Sequence, residues 1–140
     1  MSTETLHASC VAYQARAVLI LGKSGAGKSQ LALELMAYGA TLVADDRTVL
    51  SAHDGAIYAT AAPNIDGLIE ARGLGVLCAD FVQSARIALA VDLDWPATDR
   101  SPKPDDFAVQ GCVIPLFPRP YGETVAPAIL QYLRAGPSSR

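Results

Sequence analysis

One run of eight residues carries the clearest chemistry in the sequence. It reads Gly22-Lys23-Ser24-Gly25-Ala26-Gly27-Lys28-Ser29 and fits the pattern G-x-x-x-x-G-K-S/T at every fixed position. Glycines let consecutive backbone N–H groups converge on phosphate oxygens, and the start of a following helix adds partial positive charge. In such a loop Lys28 would reach the β- and γ-phosphates, while the Ser29 hydroxyl can bind Mg²⁺. The pattern predicts an Mg-ATP site rather than a glycine-rich turn that merely caps a helix.

Two adjacent carboxylates follow the next apolar run. Asp45 and Asp46 come directly after the apolar residues at 42–44. A phosphate loop needs a second carboxylate to hold the metal, usually where an apolar strand ends. Two carboxylates at such a position could divide metal binding and general-base work between them. A solvated turn is the alternative, and the loop upstream favours the site.

Four further positions are weaker candidates. Glu70 could help to hold the metal, and Arg72 could stabilise phosphoryl charge, although the same pair could be a surface ion pair before a turn. His7 lies near the start of the strand expected to pair with the one that enters the loop, and a lone histidine is more often structural. Arg100 could be a mobile catalytic arginine, although its residue context favours a solvated loop.

Hydrophobic periodicity supplies the elements that must position these residues. The apolar run 15–21 predicts a strand buried on both faces, which enters the loop and pairs with a strand at 6–13. After the loop, Leu31, Leu35 and Tyr38 share a helical face that ends at Gly39. Further strands are predicted at 41–44, 48–52, 56–60, 86–93 and 113–117, and a closing helix at 123–133.

The balance of these elements predicts the fold class. Strands outnumber helices, which indicates an α/β or α+β domain with a β-rich sheet. With the phosphate loop added, the fold class we expect is α/β, a P-loop kinase-type domain with a β-rich sheet and few helices. We expect residues 1–140 to form a single domain, because the length suits one domain rather than two. Residues 94–110 contain three prolines and mixed charge, which predicts a mobile loop.

Composition excludes several classes of function. A net charge of −3 argues against nucleic-acid binding through bulk positive charge. The apolar runs are too short for a membrane span, and the acidic N-terminus is unlike a signal peptide. Three distant cysteines fit neither a disulfide framework nor a metal site, so we expect a cytoplasmic protein. A hydrophobic content of 51% favours a homo-oligomer.

Taken together, these segments resemble the C-terminal catalytic domain of the HPr kinase/phosphorylase family, here in a short form that lacks the family's N-terminal domain. The likeness is continuous over about residues 5–80 and weaker at Asp99-Arg100 and Ile114-Pro-Leu-Phe-Pro118. Its marks are His7, the loop followed by Gln30-Leu-Ala-Leu-Glu-Leu-Met36, Ala40-Thr-Leu-Val-Ala-Asp-Asp46, Ala62-Pro63 and Leu68-Ile-Glu-Ala-Arg-Gly-Leu-Gly75.

The resemblance implies an activity and a set of roles. It implies a kinase that transfers the γ-phosphate of ATP to a serine of HPr or a related phosphocarrier, with reverse phosphorolysis and a hexamer as further family properties. Asp45 would be the general base with His7 beside it, and Arg100 would assist phosphoryl transfer. Asp46 and Glu70 would lie at the metal with Ser29.

Two other functions remain open from the sequence. A small-molecule P-loop kinase usually needs a substrate lid and a longer chain. A regulatory module could bind ATP without catalysis, but such a module has no need of a base at Asp45. Label from ATP on an added phosphocarrier, rather than in free phosphate, would distinguish the protein kinase from both.

Overall fold

A computed structural model describes residues 2–138 and confirms a sheet-rich α/β fold. Its strands are β1 Glu4–Leu6, β2 Ser9–Tyr13, β3 Arg16–Leu21, β4 Thr41–Ala44, β5 Thr48–His53, β6 Ala56–Ala61, β7 Leu68–Ala71, β8 Gly75–Cys78, β9 Ala85–Pro96, β10 Asp105–Val109 and β11 Cys112–Arg119. Its helices are α1 Lys28–Ala37 and α2 Val125–Ala135, the latter preceded by a 3-10 turn at Gly122–Thr124.

Strand order brings the phosphate loop and the aspartates to one edge of the sheet. The main sheet runs β1-β5-β6-β9-β3-β2-β4, and β11 with β10 joins it at β9. β2 is antiparallel to both β3 and β4, so β3 and β4 point the same way. β9 is parallel to β3, and β11 is parallel to β9. The carboxyl ends of β3, β4, β9 and β11 therefore share one edge, where ligands bind in open α/β sheets.

β3 is buried on both faces, as its uninterrupted apolar sequence predicts. Val18 and Ile20 pack towards the two helices, in a core that includes Leu35. Ala17 and Leu19 point the other way, into a second core built from strand residues. This double burial fixes the strand that delivers the chain to the phosphate loop.

The helix after the loop follows its predicted pattern in part. α1 begins at Lys28 and buries Leu31 and Leu35. Tyr38 lies just beyond the helix and is 55% exposed, so it does not belong to the buried face. The chain turns away at Gly39, whose φ of 109° lies in the left-handed region.

Three features differ from the sequence-based expectations. Residues 94–110 are not one loop, because β9 continues to Pro96 and β10 occupies 105–109, leaving 97–104 without regular structure. β10 forms because it pairs with β11 across a tight turn at Gln110 and Gly111. The run 6–13 is split, with β1 paired to β5 and β2 paired to β3. β7 and β8 form a separate hairpin that the sequence reasoning missed.

Both helices are short compared with a helix that spans a membrane. α1 has 10 residues and α2 has 11, and across residues 2–138 neither reaches the length and apolarity of a membrane-spanning helix.

Candidate functional site

The phosphate loop (residues 22–29) connects β3 to α1 and is braced from within. The Ala26 N–H donates to the carbonyl of Lys23 at 3.0 Å. Lys28 Nζ donates to the carbonyl oxygens of Gly22 at 2.7 Å and of Lys23 at 3.1 Å. At Gly22, where φ is 153°, an added Cβ would stand 3.0 Å from Ala26 Cβ, so a side chain there would crowd the loop. The Lys28 ammonium is thus held across the loop.

The start of α1 offers free donors to an anion. Gly27 precedes the helix with φ 102°, and no side chain caps this end. The first N–H groups of a helix have no acceptor within it, so those of Lys28, Ser29 and Gln30 are available. The first turn contains no acidic residue that would compete for them. This geometry suits phosphate, which both the donors and the helix dipole attract.

Asp45 holds three elements together from a buried position. Its side chain is 5% exposed. Oδ1 accepts hydrogen bonds from Ser9 Oγ at 2.6 Å and from Ser29 Oγ at 2.7 Å. Oδ2 accepts the backbone N–H of Glu70 at 3.0 Å. One carboxylate therefore links β2, the phosphate loop and β7.

Asp46 has a different environment, although it is the next residue. It is exposed and lies at φ 67°, a left-handed conformation that Asp tolerates better than most residues. Its backbone carbonyl accepts the N–H of Ala8 at 3.1 Å, so the backbone of His7 lies beside it. Within residues 2–138 neither the Asp46 carboxylate nor the His7 ring has a hydrogen-bond partner. Asp46 is the carboxylate that is open to a reactant.

A cleft of about 460 Å³ collects most of the predicted site. Asp46, Glu70 and Arg72 face the phosphate loop across it. Arg72 Nη2 lies 3.9 Å from where a Cβ on Gly25 would be, so the guanidinium stands over the loop. The other residues that line this cleft are Ser9, Ser24, Gly25, Ala26, Gly27, Lys28, Ser29, Gln30, Leu33 and Ala71.

A neighbouring cleft of about 310 Å³ adjoins the phosphate cleft and shares some of its lining residues. Ser29, Asp46 and Glu70 line both clefts. The second one adds an apolar wall that includes Val76 of β8. Asp46 therefore lies between a polar phosphate cleft and a partly apolar one, whereas Asp45 lines only the second.

Arg100 lies elsewhere. It lines a separate pocket between the sheet and α2, together with Phe117 and Tyr132. It is absent from the lining of the phosphate cleft, where Arg72 is the arginine present. Glu70 and Arg72 form no ion pair with each other among the described residues.

The oxygen atoms at the site fit Mg²⁺. Ser29 and Asp45 are already in contact, and Glu70 follows in β7. Across residues 2–138 no three His, Cys, Asp or Glu side chains form a complete metal cage. Mg²⁺ is commonly held by one or two carboxylates together with substrate phosphates and water. Ser29, Asp45 and Glu70 would supply the protein's share of such a ligand set, with phosphates and water as the rest.

Two residues of the site were missed from sequence. Ser9 is fully buried, and its hydroxyl donates to Asp45. The sequence feature that could have identified it is a hydroxyl residue within a run predicted to form an apolar strand. Asp94 Oδ2 accepts the N–H of Lys23 at 2.7 Å and so fastens the first turn of the phosphate loop. Its signal was a carboxylate placed after an apolar run, the pattern that had identified Asp45.

The sequence comparisons agree with this geometry. The family model of the HPr serine kinase C-terminal domain matches residues 1–98. The chain belongs to this family. It is 39% identical over 100 residues to the HPr kinase/phosphorylase of Geobacillus sp. (strain WCH70), across 66% of this chain and 32% of that protein. It is 35% identical over 125 residues to the HPr kinase/phosphorylase of Limosilactobacillus reuteri (strain DSM 20016), across 80% of this chain and 39% of that protein.

A solved structure agrees with the fold as well. The Hpr(Ser) kinase/phosphatase from Coxiella burnetii superposes with a TM-score of 0.78 at 25% identity, covering 94% of this chain and 88% of that chain. The P-loop kinase-type fold is thereby confirmed. The chain spans 32% and 39% of the two relatives named above, so it corresponds to about a third of their length.

Proposed function

We propose that this chain is an Mg-ATP-dependent protein serine kinase that phosphorylates HPr or a related phosphocarrier of a phosphotransferase system. The observation that carries the proposal is the single cleft that joins the phosphate loop to Asp46, Glu70 and Arg72. It brings together a phosphate-binding loop, an open carboxylate and a cation, which are the groups that phosphoryl transfer to a hydroxyl uses. Family membership supports the same activity.

The two aspartates take different roles in this proposal. Sequence reasoning gave the base to Asp45 and the metal side to Asp46. The hydrogen bonds favour the reverse division, because Asp45 is buried and already bonded to the phosphate-loop hydroxyl of Ser29. We therefore assign Asp45, Ser29 and Glu70 to Mg²⁺, which neutralises phosphate charge when bound. Asp46 is exposed in the cleft and suits a base.

The transfer step uses this chain's residues as follows. The Asp46 carboxylate takes the proton of the acceptor serine hydroxyl as that oxygen bonds to the γ-phosphorus. The bond from the γ-phosphorus to the β,γ-bridging oxygen breaks, and ADP carries away the electron pair. Lys28 and Arg72 stabilise the negative charge on the transferring phosphoryl group. The backbone of His7 lies next to that of Asp46, because the Ala8 N–H donates to the Asp46 carbonyl, which keeps His7 beside the proposed base. Arg100 would take part only if residues 97–104 moved towards the loop.

The surface beside the site favours a protein acceptor over a small molecule. Leu74 is 80% exposed and Val76 is 66% exposed, both on the β7–β8 hairpin that borders the clefts. Exposed apolar side chains next to a reactive site are typical of protein docking surfaces. The same site would support phosphorolysis, in which inorganic phosphate takes the place of ADP: its oxygen bonds to the phosphorus of phosphoserine, the bond from that phosphorus to the serine oxygen breaks, Asp46 returns the proton to the serine oxygen, and pyrophosphate leaves.

Further properties complete the proposal. We place the protein in the cytoplasm, where ATP is available and where free cysteines such as Cys10, Cys78 and Cys112 would stay reduced. Tyr38 and Val113 are exposed apolar residues outside the phosphate cleft and leave surface for a homo-oligomer, the hexamer implied by the family. The net charge of −3 gives no reason to expect a nucleic-acid partner, and no membrane partner is proposed.

Transfer of label tests the function. The protein is incubated with γ-³²P-labelled ATP, Mg²⁺ and purified phosphocarriers, and the phosphosite is mapped by mass spectrometry. We expect label on one carrier serine, lost in Lys28→Ala and kept in the matched control Lys23→Ala, because the Lys23 side chain is exposed and makes no described contact. Label found only in free phosphate, or only on a small molecule, would refute the proposal.

A further inference from the structure

A cleft of about 330 Å³ borders the phosphate loop on the side away from the aspartates. It lies between the N-terminal half of α1 and the carboxyl ends of β9 and β11. Its lining residues are Ala26, Gly27, Gln30, Leu31, Glu34, Leu93, Arg119, Gly122, Glu123 and Val125. Ala26, Gly27 and Gln30 also line the phosphate cleft, so the two cavities meet at the loop.

Strand order determines which part of a nucleotide can enter this cleft. The aspartates follow β4, which lies two strands to one side of β3, whereas β9 and β11 lie on the other side. In the proposed kinase the γ-phosphate must face Asp46 and Ser29. A triphosphate is a linear chain, so its nucleoside end must leave the loop away from that flank. The β9 and β11 side of the loop lies opposite that flank.

An irregularity in β9 shapes the cleft. Pro118 pairs with Asp92, but the next residue, Arg119, pairs with Pro96, so 93–95 bulge out of the ladder. Within the bulge, Asp94 accepts the N–H of the loop residue Lys23. Bulges frequently redirect side chains next to active sites. This one fastens the loop and places an arginine beside it.

The chemistry of the cleft suits a nucleoside. Leu31 and Leu93 supply an apolar floor. Arg119 and Glu123 are exposed at the rim, and within residues 2–138 neither side chain has a hydrogen bond or an ion pair. A guanidinium stacks well on a flat ring, and a carboxylate accepts hydrogen bonds from hydroxyl groups.

We propose that this cleft is the nucleoside subsite, in which Arg119 packs on the base and Glu123 accepts hydrogen bonds from the ribose hydroxyls. The inference rests on the proposed use of a nucleoside triphosphate. It goes beyond that function by naming the residues that would make the protein bind ATP more tightly than a triphosphate chain without a nucleoside.

Two ligands, one with a nucleoside and one without, distinguish binding in the subsite from binding at the phosphate loop. Affinities for Mg-ATP and for inorganic tripolyphosphate with Mg²⁺ are measured by isothermal titration calorimetry on the parent, Arg119→Ala and Glu123→Gln. Removing a stacked arginine should weaken Mg-ATP by about tenfold, and Glu123→Gln should weaken it by a smaller factor. Neither change should alter tripolyphosphate affinity. Arg86→Ala, an exposed arginine at the start of β9, is the matched control and should leave both unchanged.

The outcomes are distinct. If both variants bind Mg-ATP like the parent, or weaken both ligands equally, the subsite is refuted while the kinase proposal stands. If the parent binds neither ligand, the proposed function fails and the subsite fails with it. Thermal melts of the variants check that they fold as the parent does, which is expected because both side chains are exposed.

Discussion

Replacing Asp45 by asparagine should destabilise the protein even without nucleotide or metal. The buried carboxylate accepts from two hydroxyls, Ser9 and Ser29, and from the Glu70 N–H. An asparagine of the same shape has one accepting oxygen and one donating NH₂ group. If its oxygen faces the Glu70 N–H, both serine hydroxyls must rotate to accept. If its oxygen faces the serines, two N–H groups oppose each other.

The size of the effect follows from these bonds. A hydrogen bond to a charged group contributes about 2 kcal/mol and a neutral one about 1 kcal/mol, so weakening all of them costs about 3 kcal/mol. Removing a buried charge returns part of its desolvation cost, which leaves a net loss of about 2 kcal/mol. For a domain of this length the midpoint of thermal unfolding should fall by about 6 °C.

The assay is thermal unfolding followed by circular dichroism in buffer that contains EDTA. Asp46→Asn is the matched control, because Asp46 is exposed, makes no side-chain hydrogen bond among the described residues and has a positive φ that asparagine also tolerates. Its stability should stay within about 0.5 kcal/mol of the parent. Equal midpoints for the parent and Asp45→Asn would refute the structural role given to Asp45.

Three other predictions concern binding, assembly and thiol chemistry. Lys28→Ala should weaken Mg-ATP binding by isothermal titration calorimetry, because it removes the cation held across the loop; parental affinity would contradict the phosphate-loop assignment. Light scattering at micromolar concentration should give a homo-oligomer, and a clean monomer would count against it. Cys78 is exposed and should react with a thiol reagent in the native protein, whereas burial raises the pKa of the Cys10 thiol and should protect it until unfolding; equal rates would contradict the packing of β2.

Local patterns made one half of the site predictable. The run from β3 through the phosphate loop to α1 is contiguous in sequence, and each part has its own signal in apolar run, glycine spacing and helical period. The aspartates were also found, since they end an apolar strand. How they divide metal binding and base work stays a prediction, and the hydrogen bonds that bear on it come from the distant donors Ser9 and Glu70, which lie on other strands.

The remaining errors have the same physical origin. β10 contains Asp105 and Asp106, and its strand structure comes from pairing with β11 rather than from its own composition. Gln110 and Gly111 form a two-residue turn of the kind that joins hairpin strands, but the three prolines of 94–110 led to the prediction of a loop there. Arg100 is a separate case: its catalytic role stays a prediction, and its place in the pocket between the sheet and α2 depends on the path of residues 97–104.

The rate of phosphoserine formation in Asp46→Asn tests the central claim most directly. The measurement is a single-turnover reaction at saturating Mg-ATP with the carrier identified by label transfer, with product quantified by mass spectrometry and Mg-ATP affinity measured on the same preparation. The account predicts a fall of about a hundredfold to ten-thousandfold with affinity nearly unchanged, because only the base is lost. Transfer at the parental rate, or a defect that excess Mg²⁺ restores, would contradict it.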